Sequence, residues 1–141
     1  MTISLAVLIA GEQHVDHPKT LRSIHRARPD QIKECCWPND SESVRKTIET
    51  INADIITVVR SGDTVTSESF DLLRQAIALG ADFVYTNEEY TTHEGWRQPW
   101  IKPDWSPSRM LTQAYTGRLW ATRTEMVASA LSGPPMSEWE L

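Results

Sequence analysis

The sequence contains no long apolar run. The run Leu5–Ala10 ends after six residues at Gly11, whereas a helix that crosses a bilayer needs about 20 apolar residues in succession. No basic residues precede this run, as they would in a secretory signal peptide, and Glu12 and Asp16 follow it closely. The sequence therefore predicts no transmembrane segment, and we expect a mature cytoplasmic protein.

Basic side chains are also in short supply. Fourteen Lys and Arg residues against nineteen Asp and Glu residues give a formal net charge of −5. Nucleic-acid binding depends on a positive field that this composition does not supply, so we expect no nucleic-acid partner. The length of 141 residues is that of one ordinary domain, and we expect residues 1–141 to fold around one core.

Cysteine is scarce, and the two cysteines, Cys35 and Cys36, are adjacent. Adjacent residues of a strand point to opposite faces, so a disulfide between them would be strained. None of the four histidines lies at a metal-ligand spacing from them. We therefore predict small buried strand residues rather than a disulfide or a metal site.

Three motifs of common enzyme classes are missing. Gly11 lacks the further glycines of a dinucleotide-binding fingerprint, and no Gly-Lys-Ser or Gly-Lys-Thr occurs anywhere. A Gly-x-Ser-x-Gly elbow, typical of serine hydrolases, is missing as well. These absences exclude a P-loop NTPase and disfavour the other two classes.

What the chain does contain is an alternation of strands and helices. Its strand candidates are apolar or rich in β-branched residues, and segments of helical periodicity separate them. The predicted strands lie at 5–10, 32–37, 54–59 and 81–85, and the predicted helices begin near Pro18, Ser41 and Thr66. This order predicts an α/β sandwich with a mainly parallel central sheet and helices on both faces.

The last third of the chain has a different character. Residues 87–105 are polar, aromatic and proline-containing, without helical periodicity, and the His-Glu-Gly sequence at 93–95 predicts a hairpin turn. One more strand is predicted over 115–122 and a short helix over 124–131.

Three tryptophans, Trp96, Trp100 and Trp105, crowd this segment. Aromatic faces can stack on the sugar rings of an acceptor, whereas large aromatic residues near prolines commonly cover the edge of a core, and both interpretations stay open. We expect Lys102 and Asp104 to fix their loop through partners, because an unpaired buried charge is costly.

Ligands of open α/β sheets bind beyond the carboxyl ends of the strands. The corresponding segments here are 10–12, 37–40, 60–63 and 87–89. Asp40 and Asp63 within them have the oxygen ligands that a hard cation with a bound phosphate prefers. The same two acids could instead cap the helices that follow.

Two segments of the second half resemble a signature of family-2 glycosyltransferases. Residues 83–89 read Phe-Val-Tyr-Thr-Asn-Glu-Glu, and residues 100–107 read Trp-Ile-Lys-Pro-Asp-Trp-Ser-Pro. They are similar to the family's Tyr-Ser-Asp-Glu-Asp and Phe-Lys-Pro-Asp-Trp-Ser-Pro, and residues 115–119 with Arg123 resemble its next segment. The resemblance implies a GT-A fold, a nucleotide-diphospho-sugar donor and transfer of the sugar to an acceptor hydroxyl with inversion.

The resemblance also implies roles for individual residues. The acidic segment 137–141 places Glu138 as the base that deprotonates the acceptor, which would be a carbohydrate or another hydroxyl compound. The donor-binding positions are Ala10, Gly11, Asp40, Arg60, Gly62 and Asp63, and the acceptor-binding positions are Asn87, Glu88 and Trp105.

The metal loop departs from the family pattern. Arg60 stands where the family has its first acid and Gly62 at the third position, so Asp63 remains as the candidate ligand of a Mn²⁺ or Mg²⁺ ion. Arg60 could replace part of the ion's charge by pairing directly with the diphosphate. Two alternatives to an enzyme therefore stay open: a nucleotide-sugar-binding or regulatory module that has lost catalysis, and a subunit of an oligomer whose missing elements another chain supplies.

Overall fold

The computed structural model describes residues 2–35 and 41–132. In chain order the elements are β1 (Leu5–Ala10), α1 (His17–Arg26), β2 (Gln31–Cys35), α2 (Ser41–Glu49), β3 (Ile55–Arg60), α3 (Ser69–Ala78), β4 (Phe83–Tyr85), β5 (Glu88–Thr91), β6 (Arg97–Trp100), α4 (Pro107–Met110), β7 (Trp120–Arg123) and α5 (Thr124–Leu131). Within these residues, no helix combines the length and the apolar character that a membrane crossing requires.

In the part of the chain that the structure describes, five strands form the central sheet in the order β2-β1-β3-β7-β4. Strand β1 lies between β2 and β3 and is parallel to both. Strand β7 is antiparallel to both of its neighbours, β3 and β4. Four of the five strands therefore run in one direction, which confirms the mainly parallel sheet, and β5 and β6 form a separate antiparallel hairpin.

The central strands are apolar on both faces because helices cover both. Alternate residues of a strand point to opposite faces, and two core clusters result. One contains Leu5, Val7 and Ile9 of β1, Ile24 of α1, and Phe70, Leu73 and Ile77 of α3. The other contains Leu8 and Ala10 of β1, Val44 and Ile48 of α2, and Val127 and Leu131 of α5. The predicted sandwich with helices on both faces is confirmed.

Two aspartates fix the amino-terminal edge of the sheet. Asp54 Oδ2 accepts hydrogen bonds from the amide and the hydroxyl of Ser4, both at 2.8 Å. The hydrogen bond from the Ser4 amide lowers the pKa of Asp54. Asp30 Oδ2 accepts from the Leu5 amide at 2.6 Å and from the Arg74 guanidinium at 2.9 Å, and the Leu5 amide lowers the pKa of Asp30. Both carboxylates therefore hold the start of β1 in their ionised form.

Two features of the last third differ from the prediction. The strand predicted over 115–122 is wrong in its first half, because Gly117 has a φ of +77° and β7 begins at Trp120. Tyr115 and Thr116 are buried instead against the loop at 102–106. The helix α4 was not predicted, although the Ser106 hydroxyl caps it by accepting from the Arg109 amide.

Other local predictions are confirmed. The turn at 93–95 joins β5 to β6, with Gly95 at a φ of +81°. The predicted helix over 124–131 is α5. Cys35 is a buried residue at the end of β2, while Cys36 lies outside the described residues.

The apolar face of α3 provides a test of the packing. We expect Leu73→Ala to lower the free energy of unfolding by about 2–5 kcal/mol, because it leaves a cavity where a side chain is 1% exposed. The matched control is Leu72→Ala in the same helix, where the residue is 59% exposed and the expected change is within about 0.5 kcal/mol. Urea unfolding followed by circular dichroism measures both. Equal losses would contradict this placement of α3.

Asp54 provides a test in acid. Because its pKa in the folded protein lies below the ordinary value, its ionised form stabilises the protein above about pH 3.8, and this contribution is lost as the pH falls through the folded-state pKa. We expect Asp54→Asn to be less stable than the wild type near neutral pH, with the difference shrinking below about pH 4. Urea unfolding at several pH values measures this. A difference that stays constant down to about pH 3 would contradict the role of Asp54.

Candidate functional site

The carboxyl edge of the sheet brings the ends of β1 and β3 together. Ala10 is the parallel register partner of Arg60, and the Ser61 amide donates to the Ala10 carbonyl at 2.9 Å. Gly11 and Gly62 lie in the loops that follow these strands, with φ of +89° and +100°. Four of the predicted donor-binding residues therefore lie next to one another at this edge.

Polar side chains at the start of α1 hold the loop that follows β3. Ser61 Oγ accepts from the His14 amide at 2.9 Å and lies 2.8 Å from His17 Nδ1. The hydroxyl of the fully buried Thr20 accepts from the Gly62 amide at 2.9 Å. A Cβ on Gly62 would lie 3.0 Å from the His14 ring, so the loop packs closely against the segment before α1. The shape of this loop is thus fixed by the protein itself.

Ser61, His17 and Glu34 form a chain of hydroxyl, imidazole and carboxylate. His17 is buried, and its Nε2 lies 3.2 Å from Glu34 Oε1. A nucleophilic serine also needs free amide donors for the oxyanion that its attack creates. The amides of Ser61 and Gly62 already donate to groups of the protein. We therefore interpret this chain as a brace for the loop rather than a hydrolytic triad.

Asp63, the candidate metal ligand, is bound to an arginine. Arg118 Nη1 donates to both carboxylate oxygens of Asp63, at 2.9 and 3.2 Å. Within residues 2–35 and 41–132, no group of three or more His, Cys, Asp or Glu side chains could hold a metal ion. A guanidinium therefore lies beside Asp63, the residue predicted to bind a Mn²⁺ or Mg²⁺ ion.

Glu88, a predicted acceptor-binding residue, forms a buried ion pair with Lys102. Lys102 Nζ donates to Glu88 Oε1 at 2.6 Å and to the Thr116 carbonyl at 2.5 Å. The side chain of Glu88 is 12% exposed and that of Lys102 is 1% exposed. Burial lowers the pKa of Lys102. Burial alone would raise the pKa of Glu88, but hydrogen bonds from Lys102 and from the Arg118 amide outweigh it and hold that pKa below its ordinary value.

Arg118 joins this pair to Asp63, through its backbone amide on one side and its guanidinium on the other. The Arg118 amide donates to Glu88 Oε1, and Gly117 directly precedes it. A Cβ on Gly117 would lie 2.2 Å from both Glu88 Oε1 and Lys102 Nζ. The turn therefore packs directly on the ion pair. Hydrogen bonds connect four residues in series: Lys102, Glu88, Arg118 and Asp63.

The remaining acceptor-binding candidates lie around these four connected residues. The Asn87 side chain accepts from the Lys102 amide at 2.9 Å, so both residues fix the loop, as expected for Lys102. Trp105 is 55% exposed, and its ring lies 6.0 Å from that of Phe83. Trp105 thus covers an edge of β4 and also offers an exposed aromatic surface.

Two of the predicted site residues, Asp40 and Glu138, lie outside the described residues. Sequence reasoning missed Arg118 as a site residue because 55 positions separate it from Asp63. The available signal was a Gly-Arg pair inside a segment that already resembled the family.

The close fit of Gly117 provides a test of the ion pair. We expect Gly117→Ala to destabilise the protein well beyond the cost of about 1–2 kcal/mol of a left-handed alanine, because the new Cβ separates a buried pair. The matched control is Gly95→Ala, which has a similar φ and no atom of the described residues within 4 Å of the added Cβ. Urea unfolding compares them, and equal losses would contradict the packing of Gly117 on the pair.

The comparisons with known proteins show the fold. No protein-family model matches this chain, and no curated protein matches it. Among solved structures, 4-diphosphocytidyl-2C-methyl-D-erythritol synthase from Anaerococcus prevotii is similar with a TM-score of 0.56 and 10% identity, over 92% of this chain and 75% of that one. The bifunctional IspDF from Campylobacter jejuni is similar with a TM-score of 0.57 and 12% identity, over 98% of this chain and 45% of that one. The chain therefore has an α/β fold of the GT-A-like type.

Proposed function

We propose that the protein binds a nucleotide-diphospho-sugar at the carboxyl edge of β1 and β3 and transfers the sugar to an acceptor hydroxyl with inversion. The observation that carries the donor site is the arrangement of two loops at that edge, one of them braced by α1, in a GT-A-like fold. One similar structure is a synthase whose product name includes a diphosphocytidyl group. The motif resemblance at 83–89 and 100–107 supports a sugar as the transferred group.

The edge carries backbone and charge that suit a diphosphate. A Cβ added to Gly11 would meet no atom of the described residues within 4 Å, so none of them covers the backbone after β1. Arg60 is the last residue of β3. The Arg118 guanidinium forms an ion pair with Asp63, which lies in the loop after β3. Guanidinium groups bind phosphate oxygens through paired hydrogen bonds and stay charged at all working pH values.

The proposed transfer is a single displacement. Glu138 takes the proton of the acceptor hydroxyl, and the acceptor oxygen forms a bond to the anomeric carbon as the bond from that carbon to the diphosphate breaks. The nucleoside diphosphate leaves with the bonding electrons, and nearby positive charge stabilises it. The exposed face of Trp105 would contact a sugar acceptor by stacking.

A second candidate, a nucleotide-sugar-binding module without transfer, is favoured by one observation. Both oxygens of Asp63 and both oxygens of Glu88 are engaged in hydrogen bonds within the protein. Neither carboxylate is placed to act as the base for an acceptor. In the proposed transfer Glu138 supplies the base, and donor binding does not require it.

Calorimetric titration with UDP-, CDP-, GDP- and dTDP-sugars, in EDTA and in Mn²⁺, tests the proposal together with an assay of transfer to hydroxyl acceptors. We expect at least one donor to bind, and we expect Glu138→Gln to keep donor binding while losing transfer. The matched control is Glu140→Gln in the same segment, which should retain transfer.

Each other outcome has a defined meaning. Donor binding without transfer by the wild type would support the binding module. No donor binding by folded protein would overturn both candidates, and full transfer by Glu138→Gln would remove that residue as the base.

A further inference from the structure

We infer that Arg118 is the resident cation of the donor site and binds the diphosphate directly, in the place that an Asp-held divalent ion would occupy. This inference rests on the proposed function, since it concerns the same donor. It assigns a specific cation and predicts that donor binding is independent of metal.

The guanidinium of Arg118 has donors to spare. Its Nη1 donates to both oxygens of Asp63, while the structure shows no hydrogen bond from Nε or Nη2 to any other described residue. A guanidinium carries five N–H donors in a planar fork. Its side chain is also 49% exposed. Arg118 can therefore bridge a carboxylate on one side and a phosphate on the other, as a metal ion does in an acidic loop.

The position of this cation is set by buried groups. The Arg118 amide donates to Glu88 Oε1, and the same oxygen accepts from Lys102 Nζ. Gly117 leaves no room for a Cβ between them. Charge that is placed before the ligand arrives stabilises a leaving group without reorganisation of the site. Glu88 and Lys102 are thus positioning residues, and Arg118 is the residue that would touch the donor.

A divalent ion at Asp63 would lie beside the guanidinium that already bonds both carboxylate oxygens. The two cations would repel each other across the same carboxylate. The geometry therefore favours the arginine over the metal at Asp63. It also gives Asp63 an opposite role from that of a metal ligand, because the carboxylate neutralises the cation that binds the donor.

Titration of the full chain with UDP, CDP and GDP in EDTA tests the inference. We expect Arg118→Ala to weaken nucleoside diphosphate affinity at least about 10-fold, and Arg118→Lys to retain part of it because a lysine keeps the charge but not the fork. Affinity for the corresponding nucleosides should not change. The matched control is Arg97→Ala, an exposed arginine of the hairpin that also pairs with an acid, and it should bind as the wild type does.

Asp63→Asn separates the two roles of the carboxylate. If Asp63 restrains Arg118, this variant keeps or increases diphosphate affinity in EDTA. If Asp63 holds a metal ion, this variant loses a Mn²⁺-dependent affinity of the wild type, and the inference is overturned. Thermal unfolding of each variant confirms that it is folded, and Arg118→Lys provides the measurement if Arg118→Ala is not.

Failure of the inference and failure of the proposed function give different results. Wild-type binding that requires Mn²⁺, or unchanged binding by Arg118→Ala, overturns the inference and leaves the proposed function standing. If Arg60→Ala loses binding and Arg118→Ala keeps it, the cation is Arg60 instead. That result also overturns the inference. No binding of any nucleoside diphosphate or nucleotide-sugar by the wild type overturns both.

Discussion

The buried ion pair between Lys102 and Glu88 organises the part of the chain that the central sheet does not. Residues 86–119 contain a hairpin and one short helix, and few of their apolar side chains are buried. Removing two charges from water is costly unless further hydrogen bonds complete their coordination. Here the Thr116 carbonyl, the Arg118 amide and the Tyr90 hydroxyl do so. The pair therefore determines where the loop after α4 can lie, and with it which groups reach the edge of the sheet.

Local pattern predicts the described residues up to 85 well because burial there follows the periods of strands and helices. The continuous apolar run of β1 reflects a strand covered on both faces, and the spacing of Phe70, Leu73 and Ile77 reflects a helix with one buried face. The prediction fails at 115–118 because strand-like residues pack against the loop at 102–106 instead of pairing in the sheet. Periodicity does not carry that information, since the contacts are made by individual polar groups of a distant loop.

The candidate site is predictable only in part for a related reason. The resemblance pointed to Lys102 and Glu88 by motif, but not to the bond between them. The contacts that define the edge join Ser61 to His17 and Asp63 to Arg118, over 44 and 55 positions of sequence. A residue's type indicates what it can bind, whereas its partner depends on which strands become neighbours. Arg60 was the visible candidate cation because it stands where the resembled family has its first acid, directly after the predicted strand 54–59. Arg118 has no such position in that motif.

The reversed direction of β7 explains how an arginine comes to that edge at all. An antiparallel strand placed among parallel neighbours starts where they finish. The residues that precede β7 therefore lie at the carboxyl edge of the parallel strands. Arg118 lies two positions before that strand. Such an entry segment is not part of any strand-to-helix turn. Substitutions in this segment can therefore change the charge at the carboxyl edge during evolution. The turns between the parallel strands and their helices keep their shape meanwhile.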